Sequence, residues 1–417
     1  MIDGIMQRAE ILIQQRRYPE AEELLRGILN TNPQNIHVLT LLAEVKLIQN
    51  NVNEAESLVK NAIVISPDYP YLFCLYSRIK IERDLFDEAE ESIRHAVAMD
   101  PENADYFAFW ASIKLRRKNY SEALELANKA LELGPENILG LNIRSTALLK
   151  LDKKEESYKT IEGALRENPN SAYTHSNYGW NLLEKGDHKK ALMHFREALK
   201  NDPGFDYAKA GMGEALKASN IFYRIFLKYA FWIGNLTAKY QWAVIIGFYV
   251  VYTAIKSLAN NNEALQPFLI PVIVLMSAIA FSTWVIKPIS NLFLRLNPYG
   301  KYLLDKREMQ SSNIVGISFI IFLTGAALYF VLSDQRFLSI AIFGFAMMVP
   351  YSVMFSPAKH KYSLVIYSAA MTLIGIIAIL LTFKTGKLEN NMSFLFLIGF
   401  IAFQWIANFL VIRESNV

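Results

Sequence analysis

Six prolines in the first half of the chain recur at a constant interval, each following the previous one by 34 residues. They are Pro33, Pro67, Pro101, Pro135, Pro169 and Pro203. A single globular core does not need such regular spacing. A stack of helix-turn-helix units does, because two helices joined by a tight turn bury their apolar faces only against neighbouring units. The spacing therefore predicts a helical solenoid.

Small residues share this period, as expected where the two helices of one unit cross. In the first helices they are Ala9, Ala43, Ser77, Ala111, Ser145, Gly179 and Gly213. In the second helices they are Ala21, Ala55, Ala89, Ala123, Ser157 and Ala191. Each proline is expected to end its second helix, because proline lacks an N–H donor and clashes with the preceding turn.

The segment Tyr120–Pro135 is close to the second-helix pattern of one family, and the chain over residues 2–218 resembles the tetratricopeptide repeat family. The resemblance implies an α-solenoid of six repeats, whose concave surface, formed mostly by first helices, binds peptide segments. A seventh first helix, Asp206–Lys217, is expected to cap the array. Gly211 and Gly213 look like part of a phosphate loop, but no strand precedes them, so we interpret Gly213 as a helix-crossing residue.

The second half of the chain has a different composition, because acidic residues nearly disappear after Trp242. A helix needs about 20 apolar residues to cross a bilayer. Six predicted spans satisfy this condition: 241–258, 267–287, 312–332, 337–355, 363–383 and 392–411. We therefore predict an all-α protein, with a repeat domain over 1–218, a juxtamembrane segment over 219–240 and a polytopic transmembrane domain over 241–417.

Basic residues concentrate in alternate loops, which predicts the orientation. One side carries Arg224, Lys228, Lys239, Lys287, Arg295, Lys301, Lys306, Arg307, Lys359 and Lys361. The loop 258–266 on the other side has none, although Lys256, Lys384 and Lys387 depart from the rule. Residues 1–17 lack the uninterrupted apolar stretch of a signal peptide. We expect the inner (plasma) membrane of a bacterium, with the repeats and the C-terminus in the cytoplasm.

The segment 221–233 combines an apolar face with basic residues, the pattern of a helix that lies in the lipid headgroup region. The candidate interface residues are Phe222, Arg224, Phe226, Lys228 and Trp232. The alternative is that this segment continues the capping helix. A second surface helix is a candidate over 291–313.

No pattern indicates catalysis, a cofactor or a metal. The single cysteine, Cys74, has no visible base beside it and is interpreted as a buried thiol. The six histidines form neither an i, i+4 pair nor a His-Glu-x-x-His motif. The repeats are acidic and do not indicate the basic patch expected of a nucleic-acid-binding surface. No predicted span carries a charge near its centre, which argues against an energised transporter.

Aromatic and arginine side chains are the commonest anchors of interfaces, so they define the candidate groove. The candidates are Tyr71, Arg78, Phe109, Arg116, Asn142, Tyr173, Asn177, Trp180 and Tyr207. The subclass of this family that clamps chaperone carboxylates is not indicated, because Leu41 and Leu75 stand at two of its binding positions. We predict a membrane-embedded, non-enzymatic scaffold that recruits a protein partner. The alternative is a channel, lipid-handling or translocation component with the repeats as its sensor.

Overall fold

The computed structural model describes residues 2–296, 300–355 and 361–415. Within these ranges every regular element is an α-helix or a short 3₁₀ turn, which confirms the predicted all-α class. The chain divides into two compact units, Met1–Thr174 and His175–Val417. Each unit is described by itself.

The helices of the first unit confirm the period, since corresponding helices begin 34 residues apart. They are α1 (Ile2–Gln14), α2 (Tyr18–Thr31), α3 (Ile36–Ile48), α4 (Val52–Ile65), α5 (Pro70–Glu82), α6 (Phe86–Met99), α7 (Ala104–Arg116), α8 (Tyr120–Leu133), α9 (Ile138–Lys150) and α10 (Lys154–Glu167). The next helix, α11 (Ala172–Lys185), crosses the division between the units. Each second helix ends two residues before its proline.

The turn inside each repeat depends on one residue in the left-handed conformation. These residues are Arg16, Asn50, Asp84, Lys118, Asp152 and Gly186. Five of the six are not glycine, and their φ angles lie between 59° and 62°. Such residues cost about 1–2 kcal/mol each, so the turn is held by the packing of the helices on both sides of it.

The second unit contains the last repeat helices and the apolar half of the chain. Its helices are α12 (His188–Asn201), α13 (Asp206–Lys217), α14 (Ile221–Asn235), α15 (Ala238–Asn261), α16 (Gln266–Leu294), α17 (Lys306–Leu332), α18 (Arg336–Val353), α19 (Lys361–Thr385) and α20 (Asn391–Ser415). The division between the two compact units does not coincide with the predicted domain boundary at residue 218. Helices α13 and α16, which lie on either side of residue 218 in the sequence, share a buried hydrogen bond.

Six helices, α15 to α20, are long and apolar enough to cross a membrane, and they contain nearly all of the predicted spans. The second surface helix predicted over 291–313 is wrong. Residues 291–294 end α16, Gly300–Tyr302 form a 3₁₀ turn, and α17 has begun by Lys306. The physical reason is a capping box, in which Asp305 accepts a hydrogen bond from the N–H of Glu308 and starts α17. Lys359 lies outside the described residues.

Helices α17 and α18 pack with close backbone contact. A Cβ atom at Gly325 would lie 2.5 Å from the backbone nitrogen of Ala341, and one at Gly344 would lie 2.5 Å from that of Phe322. The Ser318 hydroxyl donates to the Gly344 carbonyl at 2.8 Å. Helix pairs in lipid typically have glycines at their contact, which let the two backbones approach, and serine side chains that form hydrogen bonds across it.

In the first unit, a series of buried lysines joins successive repeats. Lys46, Lys80 and Lys114 lie 34 residues apart, and their side chains are only 6–12% exposed. Each amine contacts one glutamate of the preceding second helix and one of its own repeat, at 2.5–3.1 Å. The carboxylates are those of Glu22, Glu54, Glu56, Glu88, Glu90 and Glu122. We call this arrangement the lysine ladder.

The lysine ladder ends after the third lysine, where the next equivalent position is Leu148. Leu148 is 1% exposed. The position equivalent to Glu90 also changes, to the half-buried Leu124. The lysine and the glutamate of the preceding second helix are thus both replaced by leucine, which avoids leaving one buried charge without its counterpart. The position equivalent to Glu122 keeps a glutamate, Glu156, which is exposed.

This exchange generates a prediction about stability. We expect Lys80→Leu to lower the opening free energy of α4–α6 by about 2 kcal/mol, because Glu56 would lose one of its three cationic partners while Lys60 and Arg83 remain. The double variant K80L/E56L copies the natural leucine pair and should recover most of that loss. Hydrogen exchange of the full chain measures both. Lys129→Leu, at an exposed pair with Glu132, is the control and should change stability by less than about 0.5 kcal/mol. A K80L variant as stable as this control would contradict the assigned role.

The same cluster predicts a dependence on pH. Burial by itself would raise the pKa of Glu56, but hydrogen bonds from Lys60 and Lys80 and the charges of Lys80 and Arg83 outweigh it and lower the pKa to about 2. A carboxyl group with a depressed pKa stabilises the fold fully above its unfolded value, here 4.5. That contribution is lost as the pH falls from 4.5 through 2.

We therefore expect the protection of α4–α6 against hydrogen exchange to fall across this acid range. Glu56→Gln should flatten the fall, because amide side chains do not titrate. Glu132→Gln, at the exposed pair with Lys129, should keep the wild-type profile. Equal profiles for the two variants would contradict the assignment.

Candidate functional site

The candidate groove residues divide between the two units. In the first unit, Tyr71 and Arg78 both face Glu44. The Tyr71 hydroxyl donates a hydrogen bond to the Glu44 carboxylate, and an Arg78 guanidinium nitrogen lies 4.0 Å from the same oxygen. Burial and then the Glu44 carboxylate raise the pKa of Tyr71, so its hydroxyl remains a donor. The three side chains form a mixed-charge cluster on adjacent first helices.

Three further candidates in the first unit leave surface for a ligand. Phe109 is half-buried against the core that contains Ile113. Arg116 is exposed, and its guanidinium carbon lies 5.6 Å from the centre of the Phe86 ring. Tyr173 is 40% exposed. An aromatic ring and a cation held by packing are suitable interface anchors.

The two asparagines are buried, contrary to their inclusion in the groove. Asn142 is 0% exposed and donates through Nδ2 to the Ile138 carbonyl at 2.8 Å and to Thr174 Oγ1 at 3.0 Å. Asn177, in the second unit, is 8% exposed. A buried amide must use its hydrogen bonds within the fold. Asn142 therefore stabilises repeat stacking.

In the second unit, Trp180 and Tyr207 lie together. The indole N–H of Trp180 donates to the Tyr207 carbonyl at 3.2 Å, and the ring centres are 5.6 Å apart. Tyr207 is 43% exposed. Trp180 also meets Phe231 of α14, with ring centres 6.3 Å apart. The two candidates thus form one aromatic surface on α11 and α13.

A cavity of about 720 Å³ adjoins this aromatic surface. It is enclosed by α11, α13, α14, α16 and the residues before and at the start of α17. Its lining residues are Trp180, Asp206, Lys209, Ala210, Gly213, Glu214, Lys217, Tyr223, Phe226, Leu227, Ala230, Lys287, Tyr302, Leu303, Leu304, Asp305 and Glu308. We call it the end cavity, because α13 is the last repeat helix.

A buried polar network forms one wall of the end cavity. Lys217, 7% exposed, donates to Glu214 at 2.7 Å and to Asn291 of α16 at 3.1 Å. The Tyr223 hydroxyl donates to the other Glu214 oxygen at 2.6 Å. Burial would raise the pKa of Glu214, but the charges of Lys217 and Lys287 outweigh it and lower that pKa. The network joins the last repeat helix to an apolar helix.

The helix α14 presents the apolar face that was predicted for the headgroup region. Phe222 and Trp232 are 74% and 52% exposed, whereas Phe226 is half-buried beside the end cavity. Arg224 donates to the Ala218 carbonyl at 2.9 Å, and Lys228 is exposed. Phe222, Lys228 and Trp232 thus remain accessible on α14.

Two histidines, His175 and His194, lie in contact although no spacing in the sequence pairs them. Nδ1 of His175 lies 3.0 Å from Nδ1 of His194, across α11 and α12. Burial and then the charge of His175 lower the pKa of His194 to about 4. Among the described residues no group of three metal-ligating side chains occurs. The thiol of Cys74 is buried, and burial raises its pKa to about 12, so it stays protonated.

A family model for the tetratricopeptide repeat matches residues 78–138 and 144–204. Residues 78–138 and 144–204 of this chain are therefore tetratricopeptide repeats. No curated protein has a sequence that matches it. Repeats of this family are protein-interaction modules, which agrees with a groove of aromatic and arginine side chains.

Solved structures similar to the chain include repeat proteins from bacteria. The pilF protein of Pseudomonas aeruginosa is 17% identical, covers 50% of this chain and 95% of its own, and has a TM-score of 0.40. A tetratricopeptide repeat protein of Parabacteroides merdae is 14% identical, with coverages of 55% and 91% and a TM-score of 0.43. YrrB, a TPR protein with an unusual peptide-binding site, is 16% identical, with coverages of 44% and 95% and a TM-score of 0.31.

Proposed function

We propose that this protein is a membrane-embedded scaffold whose repeats hold a partner protein at the cytoplasmic surface of the membrane. The observation that carries the proposal is the buried hydrogen bond between Lys217 of α13 and Asn291 of α16. It fixes the last repeat helix to one of six helices that are apolar enough to span a bilayer. A partner bound to the repeats would be confined beside the membrane, which raises its local concentration there.

Several surfaces support the orientation in this proposal. Lys301, between α16 and α17, and Lys306 and Arg307, at the start of α17, are exposed, as cytoplasmic basic residues are expected to be. The residues between α15 and α16 contain no lysine or arginine. The exposed Phe222 and Trp232 of α14 suit the headgroup region of the same leaflet.

The orientation can be tested with single cysteines, since Cys74 is the only native one and can be replaced by alanine. A cysteine in place of Lys306 should react with a membrane-impermeant maleimide only after the membrane is opened. A cysteine in place of Asn261 should react in intact cells. Both positions are exposed, so accessibility within the fold does not differ. The reverse pattern would contradict the proposed orientation.

The groove can be tested by photo-crosslinking from the full chain in cells. We expect a photoreactive residue at Tyr173 or Arg116 to capture a defined partner, because both positions are exposed on first helices. The control position is Val64, which is 82% exposed on the second helix α4. Capture at Val64 equal to that at the two groove positions would contradict the groove.

A point substitution gives the complementary readout. Truncation of an arginine anchor typically weakens an interface by ~2 kcal/mol, or about thirtyfold in affinity. Arg116→Ala should therefore reduce the crosslinking yield at Tyr173 strongly, whereas Lys129→Ala on α8 should not.

A further inference from the structure

Of the candidate groove residues, only Trp180 lines the end cavity, so the cavity is a separate site. We propose that it binds a lysine or arginine side chain from the cytoplasmic juxtamembrane segment of another membrane protein. This inference rests on the proposed scaffold function and names the class of partner.

The charges that line the end cavity favour a cation. Its wall contains four carboxylates and three lysines. The three amines already have acidic partners: Lys209 lies 2.9 Å from Asp206, Lys217 lies 2.7 Å from Glu214, and Lys287 lies 3.5 Å from Glu308. The fourth carboxylate is that of Asp305.

The carboxylate of Asp305 can accept a further hydrogen bond. One of its oxygens caps α17 by accepting from the Glu308 N–H at 2.7 Å. No donor among the described residues reaches its second oxygen, and the residue is exposed. Asp206 is also accessible, since its side chain is 92% exposed beside Lys209. A guanidinium or ammonium group entering the cavity would pair with Asp305 or Asp206, and the lining side chains include one more carboxylate than amines.

The apolar part of the wall suits the same ligand. Trp180, Phe226 and Tyr302 present aromatic rings, which attract cations through their faces. The ring of Tyr302 already holds the amine of Lys301 at 4.9 Å from its centre, and Tyr302 is 72% exposed. The aliphatic stem of a lysine or arginine would pack on Leu303 and Leu304.

The position of the end cavity indicates where such a side chain comes from. Its wall includes α13 of the repeats and the start of α17, one of the six apolar helices. Lysine and arginine are concentrated in the cytoplasmic loops of membrane proteins, next to their spans. A partner embedded in the same membrane would therefore present basic residues at this level.

The test measures binding of a labelled arginine-rich Gly/Ser peptide to the full chain in uncharged maltoside micelles. We expect D206N/D305N to weaken binding about tenfold, because two carboxylates are lost. The Asp305→Asn change keeps an N-cap, since asparagine caps as well as aspartate. The matched control is Asp187→Asn, another N-cap aspartate, at the start of α12 and outside the cavity, which should bind like the wild type.

A second pair of variants distinguishes loss of the site from misfolding of the protein. Tyr302→Ala should also weaken binding, and Tyr302→Phe should not, because phenylalanine keeps the aromatic face. The same peptide with glutamates in place of arginines should not bind. Equal binding by D206N/D305N and wild type, or displacement of the peptide by phosphatidylethanolamine, would overturn the proposal, the latter in favour of a lipid amine.

The outcomes separate this inference from the scaffold function. If crosslinking from Tyr173 and Arg116 captures a partner while D206N/D305N has no effect, only the end-cavity assignment fails. If the peptide binds through Asp206 and Asp305 but no partner is captured from the groove, the scaffold proposal fails and the cation site stands.

Discussion

The structure of the repeats depends on contact between neighbours, because a pair of helices of 13 and 14 residues cannot bury its apolar face alone. At three successive junctions this contact includes a lysine held between two glutamates. Beyond them Leu148 and Leu124 take the equivalent positions. The same geometry therefore tolerates a charged or an apolar junction, provided the lysine and the glutamate of the preceding second helix change together.

Period and composition were sufficient to predict the fold class, the repeat boundaries and the six apolar helices. The prolines end the second helices as expected, because a missing N–H acts locally and needs no tertiary information. The predicted surface helix over 291–313 is wrong because the capping box of Asp305 and Glu308, also a local signal, starts a new helix at Lys306. The lysine ladder could also have been found, since Lys46, Lys80 and Lys114 share the period of the prolines.

The candidate site was less predictable. Exposure depends on how repeats stack, and sequence period alone did not distinguish the buried Asn142 from the exposed Tyr173. The His175–His194 contact joins two helices, and no motif spacing describes it. The end cavity brings together residues from α11 to α17, which are more than 100 positions apart in the sequence at its extremes, Trp180 and Glu308. Such a site is visible only in three dimensions.

The buried Lys217–Asn291 bond has a consequence for biosynthesis. Asn291 follows Lys217 by 74 residues, so the ribosome completes α13 well before its partner helix exists. During that interval Lys217 could pair with Glu214 of its own helix but not with Asn291, and one side of the terminal helix would stay uncovered. The final packing of the last repeat helix therefore waits until α16 has been synthesised and folded.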